Sequence, residues 1–225
     1  MSELKGRVLV TSGPTRAYFD RVRYIANTSS GALGTAIVER LAAESMPVTH
    51  IVGPGVQEAV VPAGADVRVI PVVTVEDVIA AVEYVCCGDV TAVVHAMAVL
   101  DYVPERCLQE KKKSGGDVWN VSLVRTPKII AHIRNLCPGA IFVGFKLEAG
   151  IGDDELAARA LRLLETYRLD AVVANDIDRV GPVAHEALLV GPGGIVLGKT
   201  ATKASLADTV ASFVKGKILS NRSKR

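Results

Sequence analysis

The sequence predicts an α/β fold in which a doubly wound, mostly parallel sheet carries helices on both faces. Along the 225 residues, short apolar runs typical of buried parallel strands alternate with segments of helical periodicity. Hydrophobic residues make up 49% of the chain and aromatic residues only 4%, which suits a core of Val, Ala, Leu and Ile. No proline-rich or serine-rich linker divides the chain, so residues 1–225 are expected to form a single domain.

The first strand is expected at residues 8–10, where an apolar run precedes the turn residues 12–14. The next helix should begin after Ser29 or Ser30, because serine is a favoured N-cap residue. The second and third strands are expected at 48–52 and 67–72. Thr74 then caps a helix over 75–86, which is followed by a fourth strand at 92–99.

The segment 101–116 is polar and irregular, and a loop of that length inside a compact domain is usually functional, so we expect a flexible lid there. Residues 119–124 alternate as an edge strand does, and residues 128–136 have the pattern of a short amphipathic helix. Buried strands are expected at 140–145 and 171–174, with a helix between them that begins at Asp153 or Asp154.

Two short strands, 187–190 and 195–197, flank a glycine-rich turn and should form a small antiparallel hairpin extension. The last helix is expected over 203–218, followed by a frayed basic terminus over 219–225. The order of elements predicts a Rossmann-like sheet. In such a sheet the first and fourth strands end side by side, and ligands bind beyond the carboxyl ends of the strands.

Composition narrows the function. Lys and Arg total 26 against 24 Asp and Glu, a net charge of +2 that gives no reason to expect a nucleic-acid partner. The cysteines lack metal-ligand spacing, and Cys86 and Cys87 are expected to be small buried residues at a helix end. His50, His95 and His132 are expected to be core or surface residues. With no signal peptide and no apolar run that could span a bilayer, we expect a cytoplasmic protein without a membrane partner.

Residues 8–34, VLVTSGPTRAYFDRVRYIANTSSGALG, join a buried strand, a polar loop and a glycine-containing helix start. The N–H groups and dipole of such a helix start favour phosphate, and Arg16, Arg21 and Arg23 would add positive charge. The segment is neither a dinucleotide fingerprint nor a Walker loop, because it lacks the glycine and lysine spacing of both. The alternative is an ordinary first βα unit with solvated arginines.

The succession of GPTR, D-x-VRYIAN and SSG-x-x-G resembles the opening of phosphopantothenate-cysteine ligases, the synthetases of coenzyme A biosynthesis. Further matches follow in order along nearly the whole chain: AVLDY from Ala98, the run 111–116, Thr126-Pro127-Lys128, GFKLE from Gly144 and VVAND from Val172. Five ordered matches are far more specific than a lone glycine motif.

The resemblance implies a two-step ligation. The carboxylate of 4'-phosphopantothenate attacks the α-phosphate of CTP or ATP, and the amine of cysteine then displaces the nucleoside monophosphate to give 4'-phosphopantothenoylcysteine. Mg²⁺ would be held mainly by the triphosphate, near Asp101. The implied partners are these small molecules and a second copy of the chain in a homodimer. Because the first strand begins near residue 7, a separate flavin-dependent decarboxylase is also expected.

The resemblance also assigns site residues. Asn27 and Arg23 would hold the acyl intermediate as catalytic and substrate-binding residues, with Ala98 as a further substrate contact. Lys111 would be the catalytic lid lysine, although Lys112 and Lys113 leave its register open and a triple-lysine run is otherwise typical of a solvated face. The residues expected to contact the nucleotide are Gly13, Ser30, Gly31, Met97, Asp101, Lys111, Pro127, Lys128, Ile129, Ile130 and Phe145.

The chain departs from the family pattern in places. Met97 and Leu100 replace small residues and are expected to narrow the nucleotide pocket. The segment around Tyr167 lacks the lysine of CTP-using bacterial members, so the sequence does not decide between CTP and ATP. Two other functions remain: a non-catalytic nucleotide-binding homologue or partner subunit and, with less support, an NAD(P)-dependent reductase. The reductase is disfavoured by the missing glycine fingerprint and by the lack of an acidic residue after the second strand.

Overall fold

The computed structural model describes residues 6–181 and 183–223. The strands in this part of the chain are β1 (Arg7–Ser12), β2 (Arg16–Tyr18), β3 (Tyr24–Ala26), β4 (Val48–Val52), β5 (Val67–Pro71), β6 (Val90–His95), β7 (Tyr102–Pro104), β8 (Leu123–Arg125), β9 (Ile141–Glu148), β10 (Ala171–Val180), β11 (Ala184–Val190) and β12 (Val196–Thr202). The helices are α1 (Ala32–Ala43), α2 (Val75–Cys86), α3 (Ile129–Leu136), α4 (Asp153–Tyr167) and α5 (Lys203–Arg222).

Eight strands form one sheet in the order β12-β11-β10-β9-β6-β1-β4-β5. The strands from β10 to β5 are parallel, whereas β11 and β12 are each antiparallel to the strand before them. β1 lies between β4 and β6, with Val10 opposite both His50 and Val94. The predicted doubly wound sheet is therefore confirmed, including the first and fourth strands side by side.

The core lies on both faces of this sheet. Leu9 packs on the face that is covered by α2, α3 and α4, while its neighbours Val8 and Val10 pack on the face that is covered by α1 and α5. All three side chains are essentially inaccessible to solvent. Strands that are buried on both faces need continuous apolar runs, which is the pattern that the sequence shows.

Several predicted boundaries were wrong, each for a local reason. The fourth strand stops at His95 instead of residue 99, because its pairing with β9 ends at His95, beyond which the N–H groups of Ala96 and Ala98 bond to Thr11 and Gly13 on the β1 side. β9 and β10 continue three and six residues past their predicted ends at 145 and 174. Their polar ends still pair with each other, so the ladder outlasts the apolar pattern.

The expected caps of α1 were also wrong. The N-cap residue is Gly31, with φ of 69°, and no side chain caps the helix. Ser29 and Ser30 lie just before it, and their hydroxyls accept long contacts of 3.4 Å from Gly31 and Ala32. A left-handed residue at the cap position explains the difference, because glycine adopts that conformation without steric cost.

The predicted lid contains regular structure at its start. β7 pairs with β8 in a small separate sheet, so the predicted strand over 119–124 is reduced to Leu123–Arg125 and is not an edge of the main sheet. A second small sheet, β2 with β3, was not predicted. Three-residue strands carry too little periodicity to be recognised from sequence.

The hairpin extension is longer than predicted and continues the main sheet through β10. α5 extends past residue 218 to Arg222, and residues 224–225 of the predicted frayed terminus lie outside the described residues. The cysteine prediction was wrong as well, because Cys86 is half-buried and Cys87 is exposed. Among the described helices, none combines the length and apolar character needed to cross a membrane.

Candidate functional site

Two adjoining cavities lie at the carboxyl end of the parallel strands. The larger, about 580 Å³, lies between the start of α1, the turn after β6 and the ends of β9 and β10. The smaller, about 220 Å³, reaches toward α3 and α4. Their shared lining consists of Met97, Val99, Asp101, Phe145 and Lys146. One ligand can therefore occupy both cavities.

The start of α1 approaches the end of β1 very closely. A Cβ added at Gly34 would lie 2.2 Å from Cβ of Ser12, and one added at Gly31 would lie 3.1 Å from Cα of Gly13. Ser30, Gly31 and Gly34 all line the larger cavity. Small residues thus place the uncapped N-terminus of the helix at the cavity wall, where its N–H groups and dipole favour an anion.

The turn over residues 96–101 forms the opposite wall and is held by residues of the GPTR and TPK segments. Thr15 Oγ1 accepts the N–H of Leu100 at 3.0 Å, and Thr126 Oγ1 donates to the carbonyl of Leu100 at 2.6 Å. Both threonines are buried. Their role in this structure is to fix the turn.

Asn27 fastens the loop before α1 to this turn. Its Nδ2 donates to the carbonyls of Ala98 and Val99, both at 3.2 Å. Both amide hydrogens are therefore in use, while Oδ1 accepts no hydrogen bond from the described residues. The side chain is exposed to the larger cavity, so Oδ1 is an acceptor that a ligand can use.

Arg23 belongs to a neighbouring cluster, which includes a carboxylate that the sequence analysis missed. Asp20 is fully buried and accepts hydrogen bonds from the backbone N–H groups of Val22, Arg23 and Lys112 and from the Arg23 guanidinium. The guanidinium also lies 5.8 Å from the ring centroid of Trp119. Asp20 thus ties the loop that carries Arg23 to the segment that carries the lysine run.

Asp20 should make the stability of the fold depend on pH. Burial raises its pKa, but the hydrogen bonds from Arg23, Val22 and Lys112 outweigh burial and hold the pKa well below the ordinary value. A group with a depressed folded-state pKa stabilises the fold above its unfolded pKa of about 4, and this contribution is lost as the pH falls. We expect Asp20→Asn to lower the urea midpoint at pH 7 and to differ less from the parent at pH 3.

The exposed Asp117 provides the control, because Asp117→Asn should follow the parent at both pH values. A constant difference between Asp20→Asn and the parent from pH 7 to pH 3 would contradict the proposed clamp.

The predicted site residues separate into two groups. Asn27, Ser30, Gly31, Met97, Ala98, Asp101 and Phe145 line the larger cavity, and the smaller cavity adds Pro127, Lys128, Ile129 and Ile130. Three predicted residues, Gly13, Arg23 and Lys111, line neither cavity. Gly13 lies behind Gly31, and Lys111 is exposed.

The other two arginines do not supply the expected positive charge at the start of α1. Arg16 stacks on the ring of Tyr24 at 4.3 Å, and Arg21 is exposed; neither lines the cavities. Of the two bulky replacements, Met97 lines both cavities, whereas Leu100 lines neither and packs into the core. The expectation that Leu100 narrows the pocket was therefore wrong.

The charged side chains in the shared lining of the two cavities are paired with opposite charges. Asp101 is bonded to Lys128 at 2.6 Å, and Lys146 is bonded to Glu148 at 2.9 Å. His95, buried at the base of the smaller cavity, contacts Thr11 Oγ1 at 2.7 Å through Nδ1, and burial lowers its pKa to about 4. Within the described residues, no group of three or more His, Cys, Asp or Glu side chains is placed to hold a metal ion.

Sequence reasoning also missed Asn175, His185 and Lys203, which line the larger cavity. Asn175 lies within the VVAND match and was available from it. His185 is the second residue of β11 and Lys203 is the first of α5, and no local sequence pattern marks either of them. Only the antiparallel return of the chain brings them to this edge.

A family model described as the DNA/pantothenate metabolism flavoprotein C-terminal domain matches residues 4–216. The coenzyme A biosynthesis bifunctional protein CoaBC of Thermococcus kodakarensis is 39% identical over 186 residues, covering 82% of this chain and 45% of that protein. The corresponding protein of Methanocaldococcus jannaschii is 29% identical over 174 residues, covering 77% of this chain and 41% of that protein. The chain therefore spans less than half the length of these two curated relatives.

Solved structures share the fold. The DNA/pantothenate metabolism flavoprotein from Streptococcus pneumoniae superposes with a TM-score of 0.84 at 25% identity, covering 94% of this chain and 99% of that one. A mutant of Cab2 in complex with phosphopantothenate-cysteine superposes with a TM-score of 0.71 at 17% identity, covering 97% and 89%. At such identity the second likeness concerns the fold alone.

Proposed function

The chain belongs to the family of DNA/pantothenate metabolism flavoprotein C-terminal domains, and we propose that it ligates 4'-phosphopantothenate to cysteine at the expense of CTP or ATP. The observation that carries this proposal is the position of Asn27. Its amide borders a cavity that also contains the start of α1, and this cavity adjoins a smaller one lined by Met97, Ile130 and Phe145.

In the first step, a carboxylate oxygen of phosphopantothenate attacks the α-phosphorus. The bond from that phosphorus to the oxygen of the β-phosphate breaks, so pyrophosphate leaves and an acyl-nucleotidyl anhydride forms. The smaller cavity receives the base, while the uncapped start of α1 faces the phosphates. This chain needs to bind and orient the reactants more than to supply a nucleophile.

In the second step, the amine of cysteine attacks the acyl carbon. The bond from that carbon to the phosphate oxygen breaks, the nucleoside monophosphate leaves and the amine loses a proton. Asn27 Oδ1 is placed to accept an N–H of the attacking amine, because both hydrogens of its Nδ2 are held by Ala98 and Val99. A neutral amide does so without adding charge beside the phosphate.

Mg²⁺ suits this site as a partner of the triphosphate. The described residues offer Asp101 as the acid in the shared lining and no cluster of protein ligands, and Mg²⁺ usually keeps phosphate oxygens and waters as most of its ligands. When bound, the ion would neutralise charge on the phosphate oxygens.

We also propose that the chain acts as one cytoplasmic domain that pairs into a homodimer. The exposed apolar side chains of Ile195, Val196 and Leu197 lie on or beside β12, the outermost strand of the main sheet. An open apolar strand edge favours association. Sedimentation should give twice the chain mass, and a monomer at micromolar concentration would contradict the pairing.

The proposal is tested with purified protein, phosphopantothenate, cysteine, Mg²⁺ and either CTP or ATP. We expect release of pyrophosphate that requires phosphopantothenate, and formation of phosphopantothenoylcysteine that requires cysteine as well. No release with either nucleotide would refute the ligase. Nucleotide binding without release would instead identify a non-catalytic homologue.

The lysine run provides a further prediction. Single replacement of Lys111, Lys112 and Lys113 by alanine should lower turnover strongly at one position only, because one ammonium reaches the triphosphate when the segment closes. The N–H of Lys112 is fixed to Asp20, which restricts how the three side chains are presented. Equal, small effects on kcat at all three positions would indicate a solvated face instead.

A further inference from the structure

His185 is a buried side chain whose hydrogen-bonding capacity is unused. Neither ring nitrogen has a partner within residues 6–181 and 183–223, although the residue is only 7% exposed. Its pairing with Val180 in the sheet involves the backbone and does not satisfy the ring. Buried polar atoms almost always find a partner, because leaving one unpaired is costly. The ring lies in the lining of the larger cavity, so a ligand there is the natural partner.

The topology of the sheet brings a cation to the same place. β11 is antiparallel to β10, so its first residues lie at the edge where β10 ends. β12 reverses direction again and ends at that edge, where α5 begins with Lys203. Lys203 lines the larger cavity together with His185 and Asn175.

The helix arrangement gives this end of the cavity its chemistry. α1 and α5 pack on the same face of the sheet and both begin at its carboxyl edge. Their positive dipole ends therefore border one cavity, beside Lys203 and beside Lys146, which is paired with Glu148. Among the described lining residues, Asp101 is the acid, and it is bonded to Lys128. This distribution favours a ligand group with several negative charges.

His185 is suited to donate to such a group without repelling or titrating with it. Burial and the positive charge of Lys203 lower its pKa, so the ring is neutral near pH 7 and carries one N–H donor and one acceptor nitrogen. A hydrogen bond from a neutral N–H to an ionised phosphate oxygen is stronger than one to a neutral acceptor.

We propose that His185 and Lys203 bind the β- and γ-phosphates of the nucleoside triphosphate and the pyrophosphate that they become. This inference rests on the proposed function. With the base in the smaller cavity near α3 and α4 and the α-phosphate beside Asn27, the other two phosphates extend into the larger cavity between α1 and α5. His185 is then a positioning residue for the leaving group.

Calorimetric titration of the parent, His185→Ala and His185→Gln with nucleoside triphosphate, nucleoside monophosphate and inorganic pyrophosphate tests this assignment. A lost hydrogen bond to a charged group typically weakens binding about tenfold or more. We therefore expect His185→Ala to bind the triphosphate and pyrophosphate about tenfold more weakly, with monophosphate affinity within about twofold of the parent. His185→Gln should recover most of the loss, because its amide also donates a hydrogen bond.

His132→Ala is the matched control. His132 bonds to Glu83 on the outer surface of α2 and lines neither cavity, so its replacement should leave all three affinities unchanged. Equal weakening of monophosphate and triphosphate binding by His185→Ala, or no weakening of either, would overturn the assignment.

A measurement on the parent protein keeps the test valid if the variants do not fold. In ¹⁵N-histidine NMR spectra, pyrophosphate should shift the ring signals of His185 and leave those of His132 in place. No shift at His185 at saturating pyrophosphate would refute its role. If the parent binds the triphosphate but His185→Ala binds it equally well, this inference fails while the ligase proposal stands. If the parent binds no triphosphate, both fail.

Discussion

Replacement of Asn27 by alanine should lower the turnover of the ligation by about 10²–10³-fold, the usual cost of removing one polar group that acts on the reacting atoms. The loss should fall on the cysteine-dependent step, since Oδ1 is the acceptor left for the attacking amine. Pyrophosphate release in the first turnover should persist. Rapid-quench analysis should then detect the acyl-nucleotide, which the variant forms but consumes slowly.

The Asn27→Asp variant tests the effect of charge, because aspartate has nearly the same shape as asparagine. The carboxylate keeps an acceptor oxygen but loses both N–H donors to Ala98 and Val99, and it places a negative charge near the phosphate. We expect it to be at least as impaired as the alanine variant. Asn221→Ala, at an exposed position on α5, should retain parental turnover. Parental turnover in Asn27→Ala would remove the residue from the mechanism.

Replacement of Gly34 by alanine should cause a large loss of stability. The added Cβ would meet Cβ of Ser12 at 2.2 Å, and Ser12 is itself held by a 2.6 Å contact between its Oγ and Nε2 of the buried His50. The start of α1 must therefore move away from β1. Overpacking of this kind costs about 3 kcal/mol, which should lower Tm by roughly 6–12 °C in a domain of this size.

The matched control is Gly216→Ala in α5. Gly216 is an exposed helical glycine, and an added Cβ meets no atom of the described residues within 4 Å. Alanine is preferred over glycine in a helix by about 0.5–1 kcal/mol, so this variant should gain stability in the same thermal measurement. Equal Tm values for the Gly34→Ala variant and the parent would show that α1 is not seated against β1 as described.

The sheet was predictable because its signal is repeated and local. β1 and β6 each contain a run of three buried apolar residues, as strands buried on both faces require. Thr74 has the position and geometry of a capping box that begins α2. The predictions failed where tertiary contacts override local pattern. β6 ends early because its pairing with β9 stops at His95, and Gly31 displaces both serines from the cap of α1.

The residues of the candidate site were predictable only where they lie in or beside a recognisable sequence motif. Asn27, Ala98 and Phe145 lie in quoted motifs and Met97 directly precedes one, and all four line the larger cavity. Asp20 lies within the D-x-VRYIAN motif, but the sequence assigns it no role. Only the fold shows that it accepts a hydrogen bond from the N–H of Lys112, 92 residues later in the chain. His185 is recognisable only from its two unpaired ring nitrogens, which depend on packing that no local sequence encodes.

The acyl-nucleotide is the central claim, and an isotope experiment tests it most directly. Phosphopantothenate labelled with ¹⁸O in its carboxylate is converted with cysteine, Mg²⁺ and CTP or ATP, and the nucleoside monophosphate is analysed by mass spectrometry. Attack of the carboxylate on the α-phosphorus predicts transfer of one ¹⁸O atom to each monophosphate formed. Label in inorganic phosphate, or a monophosphate without ¹⁸O, would contradict the mechanism.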